Sequence, residues 1–462
     1  MITKIEIDGF KSFSNFQMEF TPLTVIAGTN ASGKSNLFDA LQLLASLSST
    51  DLRSAFSQKG LRGEVTELFT LYQENKSVCS MKFAVELLVD RTVKDNWGGE
   101  ATIKTPRLRY ELTISRKPNG RGFEELVVEH EALSKINTED DKWSKRYLGE
   151  KKKEIWKSSQ SGGSAKAYIY TELTNNIPTI KIRQDGKQGG KAAAANSVNQ
   201  TVLGNVTSVD FPHVLATKKE ISSWNFIQLN PEALREPTKQ DANFSDIIGH
   251  SGENLAAALY RIKLEDEYNL VSISRQLKTF LPDYTEVDVI NDQANKLFII
   301  KLKNESGKEF TSRVLSEGTL RLLALCILLY DNKYQGLLCF EEPENGIHPF
   351  RIKSMVELLK LLVTDFEGSE EPLRQVIVNT HSPILLKYFS KYDNKDQNIS
   401  IWFSKLTTLI TEIEGVRSNL RVSKMIPLTK DLQHSFTDAE IKMTAADAIL
   451  YLESKESDIE EI

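Results

Sequence analysis

The chain has 462 residues, 40% of them hydrophobic and 26% charged, with a formal net charge of −5. That length suits two or three domains, or one large α/β domain carrying an insertion, with enough apolar residues for a sizeable core. The mild acidity argues against a protein that coats nucleic acid over its whole surface, while leaving room for a local basic patch.

No apolar run approaches the roughly 18 residues of a membrane span. The longest, Leu320 to Tyr330, is interrupted by Arg321. Met1 to Asp8 alternates apolar and polar residues with no basic leader, so a cytoplasmic location with no membrane association is expected. Cys79, Cys326 and Cys339 lie far apart and read as buried thiols of a reducing compartment, without metal-ligand spacing.

In chain order, Ile2, Ile5 and Ile7 mark a strand, Gly9 to Ser14 a turn, and Phe16 to Phe20 a second strand. Leu23 to Ala27 is a short apolar strand, Gly28 to Gly33 a glycine-containing loop, and Lys34 to Leu47 a helix with apolar residues at Leu37, Ala40, Leu41, Leu44 and Leu47. Met81 to Val89, Leu108 to Ile114 and Leu126 to Val128 read as an antiparallel layer, with turn chemistry at Asn119-Gly120 and Arg121-Gly122. Lys135 to Gln200 is the least regular stretch, although Ala167 to Leu173 suits a strand.

Helices are expected at Gly252 to Arg261 and Leu270 to Phe280, then strands at Val287 to Ile290, Leu297 to Leu302 and Glu309 to Val314. The helices Leu320 to Tyr330 and Phe350 to Leu362 alternate with the buried strands Gly336 to Phe340 and Val376 to Asn379, the pattern of an α/β sheet covered on both faces. Ala445 to Leu452 is an amphipathic segment near an acidic end.

Gly28-Thr29-Asn30-Ala31-Ser32-Gly33-Lys34-Ser35, followed by Asn36, matches the phosphate-binding loop pattern in its required strand–loop–helix context. Gly28 and Gly33 allow the tight turn that aims N–H groups, including those at Asn30, Ser32 and Asn36, at a polyphosphate. Lys34 would reach the terminal phosphates, and the Ser35 hydroxyl would coordinate Mg²⁺. The strand Gly336 to Phe340 runs into Glu341 and Glu342 at the sheet edge where α/β folds bind phosphates. Glu341 would hold Mg²⁺, and Glu342 would orient and deprotonate an attacking water. An acidic solvated turn is the other reading of these carboxylates when they are taken alone.

Ser316-Glu317-Gly318 precedes a long helix, so Ser316 and Gly318 can bind a γ-phosphate or simply cap the helix. His381, after the strand ending at Asn379, can contact the γ-phosphate or the water, or serve structurally. The remaining histidines, His130, His213, His250, His348 and His434, show no ligand spacing.

The order of these four elements resembles that of ABC-type ATPase heads, and most closely the RecF/SMC-like ATPases often labelled AAA-family, found in bacterial defence and DNA repair. Phe10-Lys11-Ser12-Phe13, Gly252 to Ala257 and Glu342 to Pro349 carry the same likeness. The resemblance implies an α/β ABC-type ATPase head with an antiparallel β subdomain, a mixed central sheet flanked by helices, and an irregular insertion. It divides the chain into an N-terminal ATPase half (1–134), the insertion (135–205), a helical and β lateral segment (206–300), a C-terminal ATPase half (301–400) and a C-terminal extension (401–462).

It also implies ATP and Mg²⁺ as ligands and a homodimer, or a higher even-numbered homo-oligomer, in which Ser316 and Gly318 complete the partner's site while His381 senses the γ-phosphate in cis. Glu317 departs from the pattern, since such heads commonly carry a second glycine there. The lateral segment is too short for a long coiled-coil arm. Arg62 is a candidate for an additional phosphate contact. No local signal singles out the glutamine-bearing loop of such heads, although Gln58 is present.

Two uses of the ATPase remain. One is action on DNA, through a basic cluster of Lys142, Lys145, Arg146, Lys151, Lys152, Lys153 and Lys157 with Tyr147 and Trp156 interleaved for base stacking. Glu150 and Glu154 dilute this cluster, so a solvated charged loop is its plainer reading. The other is an ATP-dependent scaffold or sensor that binds and releases a separately encoded effector protein in anti-phage defence.

Overall fold

The computed structural model describes residues 1–58, 61–73, 76–148, 156, 167–174, 177–184, 192–194, 199–241, 245–366, 373–393, 396–413 and 416–453. The chain enters as β1 (Ile2–Asp8), paired antiparallel with β2 (Phe16–Glu19), and continues into β3 (Leu23–Ala27) and helix α1 (Lys34–Leu47). Strands β4 (Ser80–Leu88), β5 (Arg107–Pro118), β6 (Glu124–Lys135), β7 (Ile169–Thr174), β8 (Ile177–Ile182) and β9 (Ala192–Ala194) extend that first hairpin. Together they form an eight-stranded antiparallel sheet in the order β9-β8-β7-β6-β5-β4-β1-β2. Its strands alternate buried and exposed residues because one face lies on the core.

A second sheet of six strands is the frame of the molecule. It contains β10 (Asn225–Ile227), β13 (Gly336–Glu341), β14 (Arg374–Asn379), β3, β15 (Ile399–Ile413) and β16 (Val416–Pro427), in that spatial order. The first five run parallel, and β16 returns antiparallel to β15, so the sheet is mixed. All five residues of β3 are buried, as are five of six in β13, which is what a strand covered on both faces requires. Successive side chains feed opposite cores. Ile26, Leu337, Cys339 and Ile377 join the core shared with the first sheet and α1, whereas Val25, Leu338, Phe340 and Val378 join the core built with the helices of the other face.

Helix α2 (Pro212–Ser222) lies on the first side. On the other side lie α3 (Leu255–Glu265), α4 (Glu267–Phe280), α5 (Glu317–Tyr330), α6 (Pro349–Leu361) and α7 (Pro383–Asp393), together with the antiparallel pair β11 (Tyr284–Asp292) and β12 (Leu297–Asn304). Helix α8 (Asp438–Glu453) ends the described chain and ties to the β15–β16 hairpin through the ion pairs Lys405–Asp447 at 3.2 Å and Lys424–Glu440. The architecture is α/β, with an antiparallel layer and a mixed central sheet flanked by helices. Among the described residues, no helix is long and apolar enough to cross a membrane.

Two expectations are corrected. Tyr147 and Trp156 are buried and pack with Met1, Leu88, Trp143 and Phe366 in a satellite core, where Trp143 Nε1 donates to the Phe20 carbonyl at 2.7 Å. Such large rings gain more from burial than from display, so they form no base-stacking platform. Cys79 is exposed, because it precedes the first residue of β4 at the sheet rim, while Cys326 and Cys339 are buried. Of the basic cluster, Lys151, Lys152, Lys153 and Lys157 lie outside the described residues. Arg146 faces Glu19 at 3.5 Å, and Lys145 donates to the Glu139 carbonyl.

One buried carboxylate gives the fold a pH dependence. Glu131 of β6 is wholly buried and accepts the Val202 and Leu203 N–H groups at 2.7 and 2.8 Å and the Tyr110 hydroxyl at 3.1 Å. Burial outweighs these donors and pushes its pKa up to about 7. The folded state therefore holds a proton that the unfolded chain releases near pH 4.5, so this residue's contribution to stability declines as pH rises from there through about 7. In thermal melts, the stability difference between wild type and Glu131→Gln should narrow or reverse between pH 5 and about 8, by on the order of a few kcal/mol. A difference that is constant across that range would contradict the assignment.

Candidate functional site

Register brings the site together. β3, β13 and β14 are neighbours in parallel, with Glu341 opposite Asn379 and Asn379 opposite Ile26, so their carboxyl ends share one edge of the sheet. The three chain segments that leave this edge are the glycine loop, the acidic turn and the segment containing His381. In parallel α/β sheets this edge is where ligands sit.

The loop is turned by Gly33, whose φ is +93° and whose α-carbon has no room for a side chain, since a Cβ would lie 1.8 Å from Ser423 Oγ. Ser404 Oγ donates to the Ser32 carbonyl at 2.9 Å. Residues Ser404 and Ser423 of the β15–β16 hairpin thus back the loop from behind. Asn36 Nδ2 donates to Ser12 Oγ at 2.7 Å, and Ser12 Oγ lies 2.7 Å from Ser423 Oγ, which ties the turn after β1 into the same support. Asn30 is exposed on the loop's rim, and the Ser32 hydroxyl is buried without a partner.

The Lys34 side chain curls into the loop, where Nζ donates to the carbonyls of Gly28 at 2.7 Å and Thr29 at 2.8 Å. Burial lowers its pKa to about 8, against the opposing pull of Glu342 and Glu344. The ammonium therefore sits at the centre of the loop on two charge-assisted bonds to backbone carbonyls.

Glu341 is pushed above the usual carboxylate range by burial, with the Arg62 guanidinium opposing that shift from 3.7 Å. Arg62 also donates to the Ser35 carbonyl at 2.9 Å and to Asp39 at 3.2 Å, while Lys11 pairs with the other Asp39 oxygen at 2.5 Å. Asp39, one helical turn after Ser35 on α1, is the buried anchor of this network. Asn379 Nδ2 donates to Ser35 Oγ at 3.3 Å, and its Oδ1 is buried without a partner.

Glu342 has a φ of +46°, a left-handed conformation that non-glycine residues seldom adopt and that is concentrated at functional sites. It is held there by its N–H to the Asn379 carbonyl at 2.8 Å and by the Asn345 N–H to its own carbonyl at 3.1 Å. One carboxylate oxygen accepts from Asn345 Nδ2 at 2.6 Å, and the other lies 2.8 Å from His381 Nδ1, at ion-pair distance without the alignment of a hydrogen bond. One oxygen is thus held by a hydrogen bond and the other lies beside the imidazole. Glu344 is buried, raised above its usual range by burial, and accepts from Thr380 Oγ1.

Ser316 caps α5 by accepting from the Thr319 N–H at 3.3 Å. Gly318 and Glu317 pack on the Gly346–Ile347 turn that follows the acidic pair.

The loop residues, Glu341, Glu342 and His381 therefore converge on one edge, and Ser316 to Gly318 sit beside the turn that leaves it. Sequence reading missed Asn379, Asn345, Asp39, Ser404 and Ser423. Asp39, an acidic residue four after Ser35, and Asn345, three after Glu342, carried local signals, while the others did not. Among the described residues no cluster of three or more His, Cys, Asp or Glu side chains makes a ready metal cage. Ser35, Glu341 and the unpartnered Asn379 Oδ1 suit a cation that keeps water and arrives with phosphates, as Mg²⁺ does.

A glycine loop, a paired carboxylate turn and a histidine thus share the carboxyl edge of one parallel sheet. The chain belongs to the AAA ATPase domain family, whose profile matches residues 1–386. Membership carries nucleotide binding in general and the potential to hydrolyse ATP. No curated protein matches the chain.

Solved structures similar to it include an Smc head bound to the C-winged helix domain of ScpA, at 15% identity over 93% of this chain and 98% of that one with a TM-score of 0.49. Others are an Smc head with an extended coiled coil bound to the C-terminal domain of ScpA from Pyrococcus furiosus (14%, 93% and 96%, 0.40) and the SMC head domain from Thermotoga maritima (14%, 92% and 98%, 0.36).

The Lys34 environment sets a pH dependence. Bound phosphate would restore its proton, so nucleotide binding takes up a proton wherever the free protein has lost it. Affinity for ATP should be flat below pH 7 and weaken by up to about tenfold per unit above pH 8, with proton uptake visible by calorimetry in buffers of different ionisation enthalpy. Constant affinity from pH 7 to 9.5 would contradict it.

Proposed function

We propose that the protein is a Mg²⁺-dependent ATPase that works as a dimer, each active site closed by the other copy. The observation that carries the ATPase reading is the shared edge of β3, β13 and β14, from which the loop around Lys34, the carboxylates and His381 all project; the dimer is supported by Ser316 and Gly318 standing at the start of α5, a second phosphate-binding helix end in the same chain. Loop N–H groups and Lys34 would bind the phosphates of ATP. Ser35 and Glu341 would hold Mg²⁺, which when bound offsets charge on the β and γ phosphates.

Glu342 would accept a proton from water as the water oxygen bonds to the γ-phosphorus. The bond from that phosphorus to the β–γ bridging oxygen breaks, leaving ADP and phosphate. His381 and Asn345 would fix the Glu342 carboxylate for that transfer. Ser316 and Gly318, at the positive end of α5, would bind the γ-phosphate held by the partner's loop.

The work driven is proposed to be DNA-associated, and a second reading has support of its own. With Tyr147 and Trp156 buried, the DNA reading rests on Lys142 and Lys145, the exposed cations of that cluster among the described residues. A scaffold or sensor that binds and releases an effector protein gains from large exposed apolar side chains, among them Phe350 at 88% exposure and Leu450 at 65%.

Glu342→Gln should bind ATP as wild type does and lose at least about a hundredfold in turnover. Turnover near the wild-type rate would remove Glu342 as the base. Lys34→Ala and Ser316→Arg should each be inactive alone, while a mixture regains up to about a quarter of wild-type activity, since one dimer type carries one intact composite site. No recovery among exchanging subunits would refute sharing. Turnover stimulated by DNA and suppressed by salt supports the DNA reading. A co-purifying polypeptide released on addition of ATP supports the effector reading.

A further inference from the structure

Glu317 poses a problem for the composite site. It is the first residue of α5, and a carboxylate there competes with a phosphate for the same positive helix end. The surroundings of Glu317 bear on that competition. Arg321, one turn later and buried, donates from both Nε at 3.1 Å and Nη2 at 2.8 Å to a single Glu317 oxygen. The carboxylate is drawn sideways and lies over the α-carbon of Gly346, where a Cβ would be 2.0 Å from Glu317 Cδ and 2.2 and 2.5 Å from its two oxygens. Gly346 has a φ of +70° and is the residue that leaves room for this placement.

We propose that Arg321 is a positioning residue that folds the Glu317 carboxylate onto Gly346 and so clears the start of α5 for the triphosphate held by a second copy. The same contact joins the helix start to the turn that carries Asn345 and Glu342, so the surface offered to the partner is packed against the base of the chain's own site. This inference rests on the shared-site reading above. Arg321 acts through Glu317 and has no phosphate contact of its own in this scheme.

The prediction is a suppression pattern, measured in the Glu342→Gln background, where ATP should hold dimers together. Sedimentation velocity with ATP·Mg²⁺ should show the background chain as a dimer. Adding Arg321→Met should raise the protein concentration needed for half-dimerisation at least tenfold, while binding of a fluorescent ATP analogue to the monomer stays within about twofold, because the phosphate loop is untouched. Adding Glu317→Gln to that variant should bring dimerisation back to the level of Glu317→Gln alone.

Unaltered dimerisation of the Arg321→Met chain overturns the proposal, as does a folded double variant that stays defective. If Arg321→Met does not fold, Arg321→Lys keeps the charge without the fork. Its defect should be smaller and equally suppressed by Glu317→Gln, and a defect that Glu317→Gln leaves in place overturns the proposal. A background chain that stays monomeric with ATP instead overturns the shared site itself, and this inference with it.

Discussion

Three neighbouring parallel strands that end in register are the constraint on which the rest of the molecule depends. Pairing of Glu341 with Asn379, and of Asn379 with Ile26, fixes where the chain leaves the sheet at each of three points. A slip of one residue in β13 or β14 would send each of its side chains into the opposite core and move the acidic turn or His381 off the edge. The near-complete burial of β3, β13 and β14 on two faces makes such a slip costly. Site geometry is therefore a by-product of core packing.

On that frame the charges are arranged in opposed pairs. Lys34 sits against loop carbonyls with Glu342 and Glu344 nearby, Glu341 faces Arg62, and Arg62 is anchored by Asp39. Each partly buried charge has a counter-charge on a different chain segment, so a dianionic or trianionic ligand would rearrange the whole set. The β15–β16 hairpin, beyond the residues matched by the family profile, supports the glycine loop through Ser404 and Ser423. The loop's shape is in this way set by residues nearly four hundred positions away.

Most of the frame was readable in the sequence because it is written in local periodicity. β3, the glycine loop and α1 follow directly from an apolar run, two glycines and a helical apolar stripe. Helix α2 was not, since it is buried on nearly every side and shows no amphipathic period. The β15–β16 hairpin was also missed. Its apolar alternation holds at Ile399, Ile401 and Phe403 and then lapses at Leu406, Leu409 and Ile410, where the strand leaves the core and stays exposed.

In the candidate site, the phosphate loop and the acidic pair announced themselves by spacing. Asn379, Ser404 and Ser423 did not, because an amide or hydroxyl there gains its role from long-range register, whereas Asn345 acts locally on Glu342 three residues earlier. The paired role of Glu317 and Arg321 lay in plain i, i+4 spacing, but its meaning depends on Gly346, which only the fold brings under the carboxylate.

In the proposed dimer, one chain holds an incomplete site. The direct test is specific ATP turnover by the wild-type chain across a wide range of protein concentration, with the mass distribution measured on the same samples. The shared site predicts turnover per subunit that rises with concentration and levels off as dimers saturate, tracking the dimer fraction. Turnover per subunit that stays constant down to concentrations where the protein is monomeric would contradict it.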